Sequence, residues 1–247
     1  MRHKFVSAKS DGGDATLVRP SDWNAEHLPE NGDTKPDSPG TYDEEFEGTA
    51  DTLPTNWSWI STPSTWKLNS TWKSWLMIEH PASTSETKEL RRASFTPGAG
   101  NAFGLWFAVT FGNGRWNNNG SSFSCMILDS SEAEGFGVLM QLTSVFNITS
   151  RQKTTGTEAN VLNGNASNMD VGPQKHYVGI TRTTGNIWSL WHSYNGIAFQ
   201  QYWANTSKTF TVDRIQFKST SNGDQGVERA MIDFIRYKPN VDIWTPR

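Results

Sequence analysis

The chain has a single cysteine, so it cannot form a disulfide bond within itself. That residue is Cys125 among 247, and zinc sites built from cysteine clusters are excluded for the same reason. It lies in the apolar run 123–128, an environment typical of a buried thiol rather than a nucleophile. We therefore expect a protein that folds in a reducing cytoplasm or is indifferent to redox state.

Long hydrophobic runs and an excess of one charge are also missing. No stretch of about 18 apolar residues occurs, and residues 1–17 alternate polar and small side chains. The expectation is therefore neither a secretory signal nor a membrane anchor. The 22 Lys and Arg residues against 25 Asp and Glu residues, mixed along the chain, leave no basic surface for nucleic acid.

Leucine and alanine are scarce, whereas tryptophan is abundant. Twelve tryptophans accompany many Gly, Ser, Thr and Asn residues, a composition that favours strands and turns. No segment shows a sustained helical period with caps. Turn signals separate short apolar segments at the spacing of an all-β sandwich, and we assign residues 41–247 to one such domain. The predicted strands are 42–48, 56–61, 73–80, 87–96, 102–112, 122–129, 135–143, 146–154, 175–183, 187–194, 197–204, 209–218 and 228–238.

Two turn signals organise the second half of the chain. Asn195-Gly196 predicts a two-residue type I′ hairpin, because both central residues of that turn need positive φ. Thr184-Gly185-Asn186 predicts the preceding hairpin, so a meander is expected to run through 175–218. The Gly- and Asn-rich stretches 112–122 and 160–173 are predicted to be surface loops, where sandwiches carry binding groups.

Residues 1–40 are rich in Pro and Gly and poor in apolar side chains, so they cannot bury much surface alone. We expect an extended N-terminal arm that becomes ordered against a partner. Within it, Ser21 is placed to cap a short helical turn, and Trp23 provides one aromatic anchor.

Three parts of the sandwich pattern resemble one fold family. They are the opening 43–48 with Leu53-Pro54 and Trp57, the strand-turn-strand pattern 191–199, and the closing strand 230–237. The pattern is similar to the concanavalin A-like jelly rolls of legume lectins, laminin-G modules and laminarinase-type glycoside hydrolases. The resemblance implies a concanavalin A-like jelly-roll β-sandwich behind the arm.

The first thirty residues resemble the N-terminal segment of tailed-bacteriophage structural proteins, which precedes a variable C-terminal domain. The matching stretches are 3–5 (HKF), 11–18 (DGGDATLV) and 20–27 (PSDWNAEH). The resemblance implies a virion component, made in the host cytoplasm, whose arm docks on other virion proteins while the sandwich is displayed outward. The residues implied in virion anchoring are Pro20, Ser21, Asp22, Trp23, Asn24 and His27.

Display on a particle also bears on the number of copies. Oligomers on particles are usually symmetric, and an exposed sandwich edge is best protected by a neighbouring copy. We therefore expect a homo-oligomer, in the form of a trimer. Tail, baseplate and capsid surface all stay open as its position.

Carboxylates suited to sugar hydrolysis are missing from the predicted strands. A laminarinase-type hydrolase needs two of them across one strand of its concave sheet, and the Glu-x-Asp-x-x-Glu strand of that family does not occur. Glu45 and Glu47 share a face at the start of the fold, and Glu132 and Glu134 lie in a turn, positions typical of solvated edge charges. The sequence therefore predicts a protein that is not an enzyme, with a polysaccharide depolymerase as the alternative.

Motifs for other chemistry are absent as well. There is no Gly-x-Ser-x-Gly elbow and no phosphate-binding Gly-rich loop before a helix. Asp233 matches the closing-strand aspartate that binds calcium in laminarinase-type relatives, so we expect no cofactor, with calcium at Asp233 as the alternative. The histidines, none at metal-ligand spacing, are His3, His27, His80, His176 and His192.

Aromatic residues next to amides are the remaining signal for ligand binding. Sugar rings stack on flat side chains while Asn and Gln bind the hydroxyls. Trp106, Trp188 and Trp191 lie among apolar strand residues and are predicted to be core. Three interpretations stay open: decoration or host-glycan binding, a depolymerase, and a structural clamp without ligand. The candidate glycan-binding residues are Trp116, Asn117, Tyr194, Asn195, Gln201 and Trp203.

Overall fold

The computed structural model describes residues 40–70, 74–98, 100–112, 121–142, 146–160, 175–223 and 228–240. Within these ranges the chain forms fourteen strands, and no helix there is long and apolar enough to cross a membrane. The strands are β1 (Trp57–Ser61), β2 (Thr65–Leu68), β3 (Leu76–His80), β4 (Ser85–Arg92), β5 (Phe103–Gly112), β6 (Ser122–Leu128), β7 (Gly135–Leu142), β8 (Phe146–Thr154), β9 (Thr157–Asn160), β10 (Lys175–Arg182), β11 (Ile187–Ser193), β12 (Gln200–Ser207), β13 (Arg214–Asn222) and β14 (Glu228–Pro239).

The strands form two antiparallel seven-stranded sheets. Sheet I has the order β1-β4-β13-β6-β7-β8-β9, and sheet II has the order β12-β11-β10-β5-β14-β3-β2. Aromatic pairs join the sheets across the interior: Phe107 of sheet II contacts Phe123 and Phe217 of sheet I, and Trp188 contacts Phe136. The result is the jelly-roll β-sandwich that the sequence predicts.

Alternation along the strands decides which side chains enter the interior. On β5, Leu105 and Phe107 point to the interior and are fully buried, and on β6 Phe123, Cys125 and Ile127 do the same. Burial raises the pKa of the Cys125 thiol, because the thiolate would have no solvent around it. The prediction of a buried core thiol is confirmed.

The predicted strand 42–48 is wrong, because only one bridge forms there, between Glu44 and Ile235. Carboxylates of this segment bind backbone groups instead. Asp43 Oδ1 accepts from the N–H of Tyr237 at 2.8 Å, and Glu44 Oε1 accepts from the N–H of Phe46 at 3.0 Å. Phe46 has a φ of 50°, which ends the extended conformation.

The predicted two-residue hairpin at Asn195-Gly196 is also wrong, because residues 194–199 connect β11 to β12. Gly196 has a φ of 71°, but Asn195 is not in the left-handed region. The Asn195 side chain stabilises this longer loop. Its Oδ1 accepts from the N–H groups of Ile197 and Ala198 at 2.9 and 3.0 Å.

The turn at 184–186 is confirmed: Asn186 has a φ of 57°, and β10 and β11 pair on either side of it. The predicted meander, however, ends at β12. Strand β13 lies in sheet I between β4 and β6, so the chain changes sheets before it. The edge strands β2 and β9 are not predicted, because four residues are too few to show an alternating pattern.

Gly137 in β7 is a position where only glycine fits. A Cβ there would overlap the carbonyl oxygen of Cys125 and lie 2.7 Å from Met126 Sδ. We expect Gly137→Ala to lower the free energy of unfolding by about 1–3 kcal/mol, because a backbone atom of the neighbouring strand would have to move. Urea unfolding measures this. Gly48→Ala is the matched control, since a Cβ there meets nothing within 4 Å, and equal losses in the two variants would contradict the argument.

Candidate functional site

One end of sheet II carries the loop 194–199, which holds the predicted binding residues Tyr194 and Asn195. Thr110 pairs with Lys175, and Tyr177 pairs with Ser193, so the end of β5, the start of β10 and the end of β11 lie side by side. The loop 194–199 therefore leaves the sheet next to the strand ends from which the two long Gly- and Asn-rich stretches continue.

Several predicted site residues lie outside what the structure describes. Trp203 is described only in its backbone, which pairs with Leu190 of β11. The others are the glycan candidates Trp116 and Asn117 and the virion-anchoring Pro20, Ser21, Asp22, Trp23, Asn24 and His27.

The loop 194–199 presents both apolar and polar groups. Tyr194 and Ile197 expose 48% and 54% of their surface. The side-chain Oδ1 of Asn195 is used within the loop, where it also accepts from Ser193 Oγ at 2.9 Å. Its Nδ2 has no hydrogen-bond partner among the described residues. The loop can therefore offer one amide donor beside an exposed phenol ring.

A second aromatic cluster lies on the face of sheet II that is turned away from the interior. We call it the outer aromatic patch. Trp188 lies in the interior, as predicted, and Trp106 is buried but on this outer face. Trp191 is only half-buried, contrary to its assignment to the core. The patch consists of Trp106, Tyr177, Trp191, Phe199 and Phe234.

The spacing of the tryptophans explains this division. Side chains alternate between the faces of a strand, so Trp188 and Trp191, three positions apart on β11, point in opposite directions. Trp106 likewise lies between Leu105 and Phe107, which both enter the interior. This alternation can be counted in the sequence, but it is hard to recognise because both faces of these strands carry apolar residues.

Neutral polar groups surround Trp191. Its Nε1 donates to Thr181 Oγ1 at 3.0 Å. Gln201 lies directly opposite Trp191 in the β11–β12 ladder, is exposed, and donates from Nε2 to Ser189 Oγ at 3.1 Å. The structure thus places an indole, an amide and two hydroxyls within one small area of the sheet surface.

Ion pairs border the patch on β10 and β14. Lys175 Nζ donates to Asp233 Oδ2 at 2.7 Å and lies 5.1 Å from the centre of the Trp75 ring. The guanidinium of Arg236 lies 3.8 Å from the centre of the Phe234 ring and pairs with Glu45. Asp233, the proposed calcium ligand, is therefore held by a lysine.

Within the described ranges, no group of three or more His, Cys, Asp or Glu side chains is arranged to hold a metal ion. Calcium binding at Asp233 stays a prediction.

Two histidines meet beneath the loop 194–199. His176 Nδ1 lies 3.2 Å from His192 Nε2, a hydrogen bond in which one ring donates to the other, and both side chains are buried. Burial lowers the pKa of His176 to about 4, and burial together with the charge of His176 lowers the pKa of His192 to about 3. The ring of Tyr194 stands edge-on to His192 at 4.7 Å. This neutral pair is the support on which Tyr194 packs.

The contact between His176 and His192 cannot be predicted from their spacing in the sequence. It arises because β10 and β11 are antiparallel neighbours in which Val178 lies opposite His192.

A third buried histidine joins the two sheets. His80 Nε2 lies 2.8 Å from Ser219 Oγ, and its Nδ1 lies 3.0 Å from Glu86 Oε1. This is the connectivity of a serine-hydrolase triad, but neither His80 nor Ser219 has exposed surface. A substrate carbonyl has no approach to this hydroxyl, so the chain of bonds serves to satisfy buried polar groups.

Charged residues concentrate on the outer face of sheet I. Lys218 Nζ lies 2.8 Å from Glu158 and 3.4 Å from Glu89. Burial raises the pKa of Glu158, but the hydrogen bond and charge of Lys218 and the charge of Arg151 lower it more, so it stays below its usual value. The general acid of a glycosidase needs a raised pKa. Glu158 is suited to holding Lys218 rather than to donating a proton.

The carboxylates predicted to be solvated edge charges are engaged by partners. Glu47 accepts a hydrogen bond from Ser74 Oγ at 3.2 Å. The others are in ion pairs: Glu45 with Arg236, Glu132 with Arg91 and Arg214, and Glu134 with Lys208.

No protein-family model and no curated protein matches the chain. Among solved structures, it is similar to the GH43 BlXynB protein from Bacillus licheniformis, with a TM-score of 0.58 and 13% identity over 86% of this chain and 41% of that one. The CBM2 module of the Lactobacillus casei BL23 phage J-1 evolved Dit matches with a TM-score of 0.56 and 9% identity over 82% of this chain and 96% of that one. The carbohydrate recognition domain of Emp47p matches with a TM-score of 0.55 and 12% identity over 81% and 96%.

These likenesses show the fold alone: the chain is a jelly-roll β-sandwich. It spans less than half the length of the GH43 protein.

Proposed function

We propose that this chain is a glycan-binding display module of a bacteriophage virion, whose arm docks on the particle and whose sandwich engages a host-surface glycan. The observation that carries the proposal is the half-buried Trp191 beside the exposed Gln201, at the end of the sheet where Tyr194 is exposed. An aromatic face next to amides and hydroxyls is what sugar recognition requires.

Two further observations support the proposal. Residues 3–27 resemble the arm of tailed-phage structural proteins. Two of the similar folds are named as a phage Dit CBM2 module and a carbohydrate recognition domain. A trimeric assembly, and calcium at Asp233, belong to the same proposal and are tested by light scattering and by titration with calcium.

The binding mode follows from the groups present. A sugar ring stacks its C–H face on Trp191 while the Gln201 amide binds its hydroxyls. Tyr194 and the Asn195 Nδ2 offer a second ring and a second amide in the adjoining loop. A stacking contact contributes about 0.5–1.5 kcal/mol beyond burial, so removing one aromatic ring costs about threefold to tenfold in affinity. Several such contacts are needed for a stable complex.

The test is calorimetric titration with host-surface polysaccharide of the intact protein and of Trp191→Ala, Tyr194→Ala and Gln201→Ala. Each variant is expected to bind about threefold to tenfold more weakly. Ile60→Ala is the matched control, because Ile60 is 48% exposed but lies on β1 of sheet I. The thermal unfolding midpoint of each variant separates lost binding from lost folding.

Assaying the same mixtures for new reducing ends tests the depolymerase alternative. Turnover by the intact protein would replace the binding proposal with a catalytic one. Unchanged binding in all three variants, with unchanged midpoints, would overturn the site, and the absence of any binding would favour a structural clamp.

A further inference from the structure

The segment that forms the candidate site contains no charged residue. No Asp, Glu, Lys or Arg occurs between Arg182 and Lys208, although 19% of the chain is charged. This stretch comprises β11, the loop 194–199 and β12, and it includes Trp191 and Gln201.

Most of the described cations on the rest of this face are held in ion pairs. Lys175 pairs with Asp233 at 2.7 Å, and Arg236 pairs with Glu45 at 3.0 Å. Farther along the same face, Arg229 pairs with Glu79 and Lys67 pairs with Asp51. Among the residues that the structure describes, the donors and acceptors next to Trp191 are therefore neutral.

Among the described cations on the outer face of sheet II, Lys238 is the one without an ion pair. It lies opposite Gly104, which in turn lies opposite Thr181, the hydrogen-bond partner of Trp191. Two strand spacings separate Lys238 from Thr181, about 10 Å, which is about one Debye length at physiological ionic strength. Its charge is largely screened at the site.

From this distribution we infer that the glycan bound at the Trp191 site is neutral, an inference that rests on the proposed function. An acidic sugar stacked on Trp191 loses hydration around its charge and meets no unpaired cation among the described residues next to the ring. A neutral sugar loses only hydroxyl hydration, which the Gln201 amide and the neighbouring hydroxyls replace. The site thus discriminates against uronic acids, sialic acids and phosphate-bearing polymers.

Sheet I provides the contrast. Its outer face holds Arg91, Arg151, Arg214 and Lys218, each paired with a glutamate. If the ligand were acidic, these are the cations that could exchange their partners for it. Ligand binding on sheet I and ligand binding on sheet II should therefore respond in opposite ways to salt and to the substitution of these residues.

The experiment measures the Kd of the intact protein for a neutral polysaccharide and for a carboxymethylated form of the same polymer, at about 50 and about 500 mM NaCl. We expect the neutral polymer to bind with a Kd that changes less than about twofold with salt. Carboxymethylation is expected to weaken binding about tenfold or more. Lys238→Gln and Lys218→Gln are expected to leave the Kd for the neutral polymer unchanged.

Tighter binding of the carboxymethylated polymer, or a tenfold loss of affinity with salt, would overturn the neutral-ligand inference while leaving glycan binding itself in place. Loss of binding in Lys218→Gln with retention in Gln201→Ala would also overturn it and move the site to sheet I. Binding to neither polymer nor to any glycan of a host-surface array would overturn the proposed function and this inference together.

Discussion

Replacing Trp188 by alanine is expected to lower the free energy of unfolding by about 3–5 kcal/mol. Trp188 is fully buried between the sheets. Its ring stacks on Phe210 at 5.1 Å and contacts Phe136 at 5.3 Å and Phe103 at 5.8 Å. Its Nε1 donates to the carbonyl oxygen of Lys208 at 2.7 Å, so the substitution leaves a cavity and an unsatisfied acceptor. Urea unfolding followed by circular dichroism measures the loss.

Trp191→Ala is the matched comparison, because the two tryptophans share one strand and differ in the face they occupy. Trp191 is half-buried and makes one indole hydrogen bond, to Thr181. We expect Trp191→Ala to lower the free energy of unfolding by about 1 kcal/mol and to weaken glycan binding. Trp188→Ala should alter binding only through unfolding. A stability loss for Trp191→Ala as large as that for Trp188→Ala would show that the outer aromatic patch is a second core rather than a binding surface.

The strand pattern was predictable because alternation and turn chemistry are local. Segments such as 122–129 and 135–143 carry enough apolar residues at period two to identify β6 and β7. The segment 42–48 has a similar pattern and fails, because its carboxylates bind backbone N–H groups that a sheet would need. The Asn195 amide lengthens a predicted hairpin for the same kind of reason.

The candidate site was predictable only in part. Tyr194, Asn195 and Gln201 are exposed, as a binding role requires, because polar neighbours in sequence identify loop residues. Trp191 was missed because it shares a strand with Trp188 and Leu190, which are core residues, and only the strand register shows which face it occupies. The contact between His176 and His192 depends on the pairing of two strands, which neither spacing nor composition reveals.

The intact protein is expected to lose about 2–5 kcal/mol of stability as the pH falls from about 7 to about 4.5. His176 and His192 have folded-state pKa values of about 4 and about 3, against 6.5 for an ordinary histidine. The unfolded chain therefore binds more protons than the folded chain below pH 6.5. The contribution of this pair is fully present well above pH 6.5 and is lost as the pH falls towards the folded-state values. Urea unfolding at a series of pH values measures the slope.

The variant His192→Gln isolates the contribution of the pair. Gln keeps a group that can hydrogen-bond to His176 but does not titrate, so the loss between these pH values should fall by about half. His80→Gln should reduce it less, because Glu86 raises the pKa of His80 against the lowering effect of its burial. Each variant is compared with itself at two pH values, so a change in its overall stability does not affect the result. An unchanged pH dependence in His192→Gln would mean that the pair is not neutral in the folded protein.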